Sequence, residues 1–161
     1  MAGFPAAGKV RPMNENEKMP NVAGNRVNLR QIDFVRPQTI ATFGAEIIEV
    51  STERALLRYA FRPEWCNPRG SVQGGMLCVF LSDAIVYALL GRQDQVKSVP
   101  FAAMGLSTHF LRPITQGCFD AIGTVIRIGA KMIFAEATIV QGEKLIAKAS
   151  STLIFISSLS D

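Results

Sequence analysis

The chain of 161 residues has few of the side chains that bind metals or build disulfide frameworks. It contains one histidine, His109, and three cysteines, Cys66, Cys78 and Cys118, with no CxxC pair. An odd cysteine count at these spacings argues against a disulfide framework and against a zinc site. This usage fits a reducing, cytoplasmic compartment, and no metal ion is expected.

Long membrane-type runs and clustered charge of one sign are also missing. The apolar stretch 76–90 is shorter than the roughly 20 residues of a membrane span, and Ser82 and Asp83 interrupt it. The net charge of +4 comes from scattered basic residues rather than from a cluster beside aromatic residues. Neither a membrane nor a nucleic acid is therefore an expected partner, whereas small anionic molecules remain compatible.

The composition indicates one globular domain. Hydrophobic residues make up 48% of the chain and charged residues 19%, and a chain of this size typically buries roughly 70% of its unfolded surface. Residues 1–25 mix Gly, Pro, Asn and Lys without an apolar core segment. We therefore expect a mobile tail over 1–25, no standard secretory signal, and a folded domain over 26–161.

Hydrophobic patterns predict an α+β protein. The first half contains one or two helical turns within 27–43, a β-hairpin of 45–50 and 55–61, and an apolar helix over 76–90. A polar, flexible segment is expected over 91–98, followed by strands over 101–111, 119–128, 132–140 and 144–156. Because the helix is apolar on every side, it must be covered all round. A curved antiparallel sheet wrapped round this helix satisfies that need.

The junction before the helix carries the strongest chemical signal. Gly74 and Gly75 stand where the helix begins, and glycines let a ligand approach the backbone closely. The first N–H groups of a helix, at the positive end of its dipole, can polarise a carbonyl oxygen. We expect the amide of Gly75, with that of Met76, to face an acyl group. The alternative is a tight turn with no ligand.

Several motifs resemble those of the hotdog-fold acyl-CoA thioesterases, in particular the group related to phenylacetate-pathway thioesterases. The resemblance covers roughly residues 45–156. Its motifs are Asn67-x-x-Gly70-x-x-Gln73-Gly74-Gly75, the apolar helix, Phe110-Leu111-Arg112-Pro113 with Gly117, Arg127-x-Gly129, and Ala147-Lys148-Ala149. It implies a hotdog fold, a homodimer or a tetramer built as a dimer of dimers, acyl-CoA as the substrate, and no cofactor.

The resemblance also implies roles for individual residues. The family pattern usually has histidine at the position of Gln73, and its catalytic carboxylate falls at Ser82, so that Asp83 is the acid left next to it. The catalytic candidates are Asn67, Gln73, Gly75, Ser82 and Asp83. The substrate-binding candidates are Gly74, Met76, Arg112, Arg127, Gly129 and Lys131. Each has a structural alternative, such as a turn for Asn67 and Gln73, a paired buried acid for Asp83, and solvated or ion-paired charge for the basic residues.

Helix geometry adds an argument for a shared site. Seven residues advance a helix by about 10.5 Å and return to within about 20° of the starting face. Gly75 and Ser82 therefore lie on one side, two turns apart, and one helix cannot bring both to one carbonyl group. A neighbouring protomer can supply the second group.

Three functions fit these residues. The first is thioester hydrolysis, with Gly75 as the carbonyl donor, Asn67 and Gln73 as orienting groups, and Asp83 or a water held by Ser82 as the base. The second is a non-hydrolytic acyl-CoA-binding protein, which the missing acid at position 82 favours. A hydratase of the same fold is the third, but His109 is poorly placed in the sequence for such chemistry.

Overall fold

The computed structural model describes residues 38–96 and 100–156. Their main feature is a six-stranded antiparallel sheet in the order β1-β2-β4-β5-β6-β3. The strands are β1 (Glu46–Val50), β2 (Ala55–Ala60), β3 (Phe101–Phe110), β4 (Cys118–Ile128), β5 (Met132–Gln141) and β6 (Lys144–Phe155). The helices are α1 (Gln38–Phe43), α2 (Gly74–Leu90) and α3 (Gln93–Val96), with a 3₁₀ turn at Pro63–Trp65. The predicted α+β architecture is confirmed.

The observed elements differ from the predicted ones in a few places. The central helix begins at Gly74, two residues earlier than expected. The prediction of a flexible segment over 91–98 was wrong for α3, which forms because the buried side chain of Val96 anchors it to the core. The predicted tail over 1–25 and the turns before Gln38 lie outside the described residues. In 38–96 and 100–156, no helix combines the length and the apolar character needed to cross a bilayer.

Helix α2 packs closely on the inner face of the sheet. Gly123, in the middle of β4, permits this approach because a Cβ there would collide with the carbonyl group of Ala84. Alternate residues of β4 and β5 also point into this core, where they are buried: Phe119, Ala121, Val125, Ile133, Ala135, Ala137 and Ile139. The face of α2 that carries Gly75, Val79, Ser82 and Val86 is less buried than the rest of the helix.

The strand register assigns the loops to two ends of the sheet. Phe110 of β3 pairs with Ala147, and Ala60 of β2 pairs with Cys118, so these residues mark the end beside the start of α2. The other end holds the β4–β5 turn and the first residues of β3, where Phe101 pairs with Phe155. A site at the start of α2 therefore lies at one end of the sheet.

Candidate active site

Asn67 shapes the loop that leads into α2. Its Oδ1 accepts a 2.9 Å hydrogen bond from the N–H of Arg69, and its Nδ2 donates a 3.0 Å bond to Oγ of Ser71. Gly70 completes the turn with a φ of 78°, a value that favours glycine. A side-chain amide nitrogen carries two hydrogens. Nδ2 of Asn67 uses one of them within the turn, and the other N–H is available to a ligand.

Gln73 fixes the first turn of α2 through its backbone. Its N–H donates a 2.9 Å hydrogen bond to the carbonyl group of Trp65, while its own carbonyl accepts the N–H groups of Met76 at 2.9 Å and Leu77 at 3.2 Å. The side chain of Gln73 makes no capping hydrogen bond and is exposed. The side-chain amide can therefore turn toward a ligand while the backbone holds the helix start.

The amides of Gly74 and Gly75 are unused donors. The first N–H groups of a helix have no intrahelical acceptor, and none of the other backbone hydrogen bonds among the described residues uses these two groups. Gly75 is exposed, and a Cβ built on it would meet nothing within 4 Å. Of the two predicted carbonyl donors, Gly75 therefore has an open amide, whereas Met76 already donates to Gln73.

A pocket of about 340 Å³ lies beside this helix start. It brings together three predicted site residues: Asn67, Gly74 and Arg112. The guanidinium group of Arg112 is exposed and donates a 2.7 Å hydrogen bond to the carbonyl group of Leu145, which holds it at the rim. The remaining lining residues are mostly apolar: Ser71, Val72, Leu77, Phe110, Leu111 and Pro113.

Phe110 forms a wall of the pocket, a role that the sequence did not predict. A Cβ on Gly74 would lie 3.2 Å from Cζ of Phe110, so the ring rests directly on the glycine. Phe110 is still 52% exposed. The available signal in the sequence was the place of Phe110 in the motif Phe110-Leu111-Arg112-Pro113.

The carboxylate of Asp83 lies inside the protein, only 6% exposed. The hydroxyl of Thr39 donates a 2.7 Å hydrogen bond to Oδ1, and the hydroxyl of Tyr59 donates a 3.2 Å bond to Oδ2. Burial raises the pKa of Asp83, and these two hydrogen bonds partly oppose that rise. The structure thus supplies partners for the acid and places it outside the pocket residues.

Ser82 occupies a different face of α2. It is half-buried and lies on the stripe with Gly75, Val79 and Val86, whereas Asp83 is turned toward β2 and α1. No side-chain hydrogen bond of Ser82 occurs among the described residues. A second protein surface laid on this stripe would face Ser82 and Gly75 together.

The predicted basic residues of the β4–β5 turn are not near the pocket of their own chain. Arg127, Gly129 and Lys131 lie at the far end of β4 from Cys118. Nine strand residues span about 30 Å. These three residues can reach a site at the start of α2 only if that site belongs to another protomer.

His109 is separated from α2 by the sheet. Its neighbour Thr108 faces the helix, because its hydroxyl accepts a weak hydrogen bond from Sγ of Cys78 at 3.7 Å. Successive side chains of a strand point to opposite faces of the sheet. His109 therefore points to the outer face, opposite Lys148. In the described part of the chain, no three His, Cys, Asp or Glu side chains cluster as metal ligands would.

Comparisons with known proteins identify the family and the fold of the chain. Residues 69–148 match the family model of the thioesterase superfamily, which covers about half of the chain. A phenylacetic acid degradation-related protein of Ralstonia eutropha is 26% identical, with a TM-score of 0.67 over 73% of this chain and 89% of that one. No curated protein matches the chain in sequence.

Two further solved structures share the fold at lower identity. The E. coli PaaI protein from the phenylacetic acid degradation operon is 22% identical, with a TM-score of 0.66 over 75% of this chain and 86% of that one. A thioesterase family protein from Silicibacter pomeroyi is also 22% identical, with a TM-score of 0.66 over 74% and 89%. The architecture and the family match together show that this chain belongs to the thioesterase superfamily, with the hotdog fold.

Proposed function

We propose that the protein is a cytoplasmic hydrolase that converts acyl-CoA to a free acid and coenzyme A at a site shared by two protomers. The observation that carries the proposal is the open amide of Gly75, one residue after Gly74, which lines a pocket together with Asn67 and Arg112. An unused N–H at a helix start is suited to a carbonyl oxygen that gains negative charge.

In the proposed reaction, the carbonyl oxygen of the thioester accepts a hydrogen bond from the N–H of Gly75. Water attacks the carbonyl carbon, the oxygen becomes an oxyanion, and the carbon–sulfur bond then breaks and the thiolate takes up a proton. The free N–H of Asn67 and the side-chain amide of Gln73 orient the thioester or the water, and Gly74 lets the substrate approach the backbone. One such oxyanion donor typically contributes about 10²–10³ in turnover.

Activation of the water has two candidates, Ser82 and Asp83. The geometry favours a water held by Ser82, because Ser82 lies on the open stripe of α2 while the carboxylate of Asp83 is buried and bonded to Thr39 and Tyr59. A serine hydroxyl is a poor base. The proposal therefore predicts slow hydrolysis rather than fast hydrolysis.

Two features support a homodimer. The half-buried stripe of α2 with Val79, Ser82 and Val86 lacks a cover within the described residues of one chain. The edge strand β3 carries no lysine, arginine, glutamate or proline along its length, although exposed edges usually have such protection. Antiparallel pairing of β3 with its copy would cover the edge strand and the stripe of α2. It would also bring the β4–β5 turn of the partner subunit, with the partner's Arg127 and the partner's Lys131, toward the Phe110 end of the sheet. There they would join Arg112 in binding the phosphates of coenzyme A.

A non-hydrolytic acyl-CoA-binding protein is the second candidate. One observation favours it: the pocket residues include no carboxylate, and Asp83, the acid within helix α2, is buried. This protein would bind the same ligand at the same surface without cleaving it.

Two measurements on the same samples separate these functions. Thiol release from a panel of acyl-CoAs, from short to long chains, reports hydrolysis, and the shift of the melting temperature reports binding. Turnover that saturates with acyl-CoA supports the hydrolase. A melting temperature that rises with acyl-CoA, without thiol release above the rate of buffer, supports the binding protein and overturns the hydrolase.

A further inference from the structure

The ring of Phe110 lies against the helix start that carries the open amide. A Cβ on Gly74 would stand 3.2 Å from Cζ and 3.3 Å from Cε2 of this ring, so the tip of the ring contacts the backbone of Gly74. The residue is nevertheless 52% exposed, and no aromatic ring pair among the described residues includes it. The ring is therefore a partly open wall beside the helix start rather than a member of the core.

A second contact shows how α2 and β3 run beside each other. Sγ of Cys78 in α2 donates a 3.7 Å hydrogen bond to the hydroxyl of Thr108 in β3. From Gly74 to Cys78 the helix advances about 6 Å, and from Phe110 back to Thr108 the strand covers about 6.8 Å. The two contacts thus follow each other along one line, which we call the α2–β3 crevice. Phe110 stands at the end of this crevice where α2 begins.

Other bonds fix the backbone on both sides of this contact. The loop before Gly74 is held by Val72, whose N–H donates a 2.9 Å hydrogen bond to the carbonyl group of Ile114. The chain after Phe110 is held by Ile146, whose carbonyl group accepts the N–H of the next residue at 2.8 Å. A change of the ring therefore leaves the start of α2 and the end of β3 in place.

The ring is close to the place where a thioester would bind. Consecutive Cα atoms are 3.8 Å apart, so a ring that rests on Gly74 stands within a few ångströms of the amide of Gly75. Gly75 itself is exposed, with open space where its side chain would be. An electrostatic interaction is about four times weaker in bulk water than near a protein surface. The amide therefore becomes a stronger donor when an apolar group keeps water away from the bound carbonyl group.

Two segments give the pocket different chemistry. The segment 110–113 contributes the apolar side chains of Phe110, Leu111 and Pro113, apart from the guanidinium group at the rim. The hydrogen-bonding groups come from the turn before α2, where Asn67 and Ser71 line the same pocket. The turn can orient a polar ligand, whereas the ring of Phe110 offers no hydrogen bond to water. Exclusion of water is therefore the chemistry that this ring can supply.

We propose that Phe110 is a positioning residue of the thioesterase site, whose ring closes the end of the α2–β3 crevice and excludes water from a thioester held by the Gly75 amide. This role rests on the proposed function, because it requires a thioester at that amide. The ring takes no part in making or breaking bonds. It acts through Gly75, whose N–H stabilises the oxyanion better when water does not compete for it.

Two substitutions of similar size test this role, because they differ in polarity. Phe110→Leu keeps an apolar cover, whereas Phe110→Gln introduces an amide that binds water. Thiol release is measured with one acyl group on coenzyme A and on N-acetylcysteamine, which share the thioester. We expect kcat of Phe110→Gln to fall about tenfold with both substrates, a part of the roughly 10²–10³ that an oxyanion donor contributes, while Phe110→Leu stays within about threefold. The control Phe134→Gln, at another exposed phenylalanine outside the pocket, should keep its kcat.

Other results overturn this role in distinguishable ways. Equal kcat values for Phe110→Leu and Phe110→Gln contradict water exclusion, whether both values are high or both are low. A rise of KM for the coenzyme A thioester alone, at constant kcat, places the ring along the coenzyme A arm instead. A lower melting temperature of Phe110→Gln together with a lower kcat assigns the ring a structural role. An unmodified protein that releases no thiol removes the proposed function and this role together, whereas an active protein with an unaffected Phe110→Gln removes this role alone.

Discussion

The hydroxyl of Thr39 donates a 2.7 Å hydrogen bond to the carboxylate of Asp83, although the two residues are 44 positions apart. This bond joins α1 to the middle of α2. The same helix α1 packs Phe43 edge-on against Trp65, with ring centroids 6.0 Å apart, and the carbonyl group of Trp65 holds the backbone of Gln73. Helix α1 therefore contacts both the buried acid and the segment that fixes the start of α2.

Replacement of Asp83 by asparagine should change the pH dependence of stability. Burial raises the pKa of Asp83 in the folded protein above its unfolded value. Between these two pKa values the folded chain binds more protons, so its stability falls as the pH rises. We expect Asp83→Asn to be at least as stable as the unmodified protein at pH 7–8 and to lose that advantage in acid. Melting temperatures from pH 4 to 8 measure this, and a constant difference across the range contradicts it.

Removal of the Thr39 hydroxyl should destabilise the protein. Thr39→Val keeps the shape of the side chain and deletes a hydrogen bond to a charged group, which typically contributes about 1.5–3 kcal/mol. Thr42→Val on the same helix is the control because Thr42 is exposed. Urea unfolding should show a lower midpoint for Thr39→Val only. A smaller loss in the Asp83→Asn background would confirm that the effect passes through the carboxylate.

Replacement of Ser82 by an acid should accelerate hydrolysis. Ser82 lies on the open stripe of α2, where a carboxylate could act as a general base, and such catalysis contributes roughly 10²–10⁴. We expect Ser82→Asp to raise kcat by at least about tenfold, while the uncharged Ser82→Asn does not. Asp83→Asn should retain turnover. If Asp83→Asn abolishes turnover and Ser82→Asp leaves it unchanged, Asp83 is the base.

The sequence predicts the framework better than the contacts of the candidate site. Alternating strands and the apolar helix depend on local patterns, and their bounds agree with the structure within one or two residues. The partners of Asp83 depend instead on the packing of α1 and β2, which are 44 and 24 positions away. No local signal identifies Thr39 or Tyr59. Likewise, α3 forms because Val96 is buried against the core. The polar residues next to Val96 in the sequence do not predict this contact.

Arg112 should act on the coenzyme A part of the substrate. Its guanidinium group is exposed at the rim of the pocket and is held by the carbonyl group of Leu145. An exposed ion pair contributes up to about 1 kcal/mol, which corresponds to roughly a fivefold rise in KM for Arg112→Ala. Thioesters of N-acetylcysteamine lack the phosphates, so their KM should not change. Equal effects on both substrates would show that Arg112 acts only through the loop structure.

The most direct test of the shared thioesterase site compares Gly75→Pro with Gly75→Ala in the thiol-release assay. Proline removes the N–H at a position in the first helical turn that needs no intrahelical bond, and alanine keeps the N–H and has open space for its methyl group. We predict that kcat/KM falls by about 10²–10³ in Gly75→Pro and changes little in Gly75→Ala. Equal activity of the two variants, with both folded, would contradict the proposed role of the Gly75 amide.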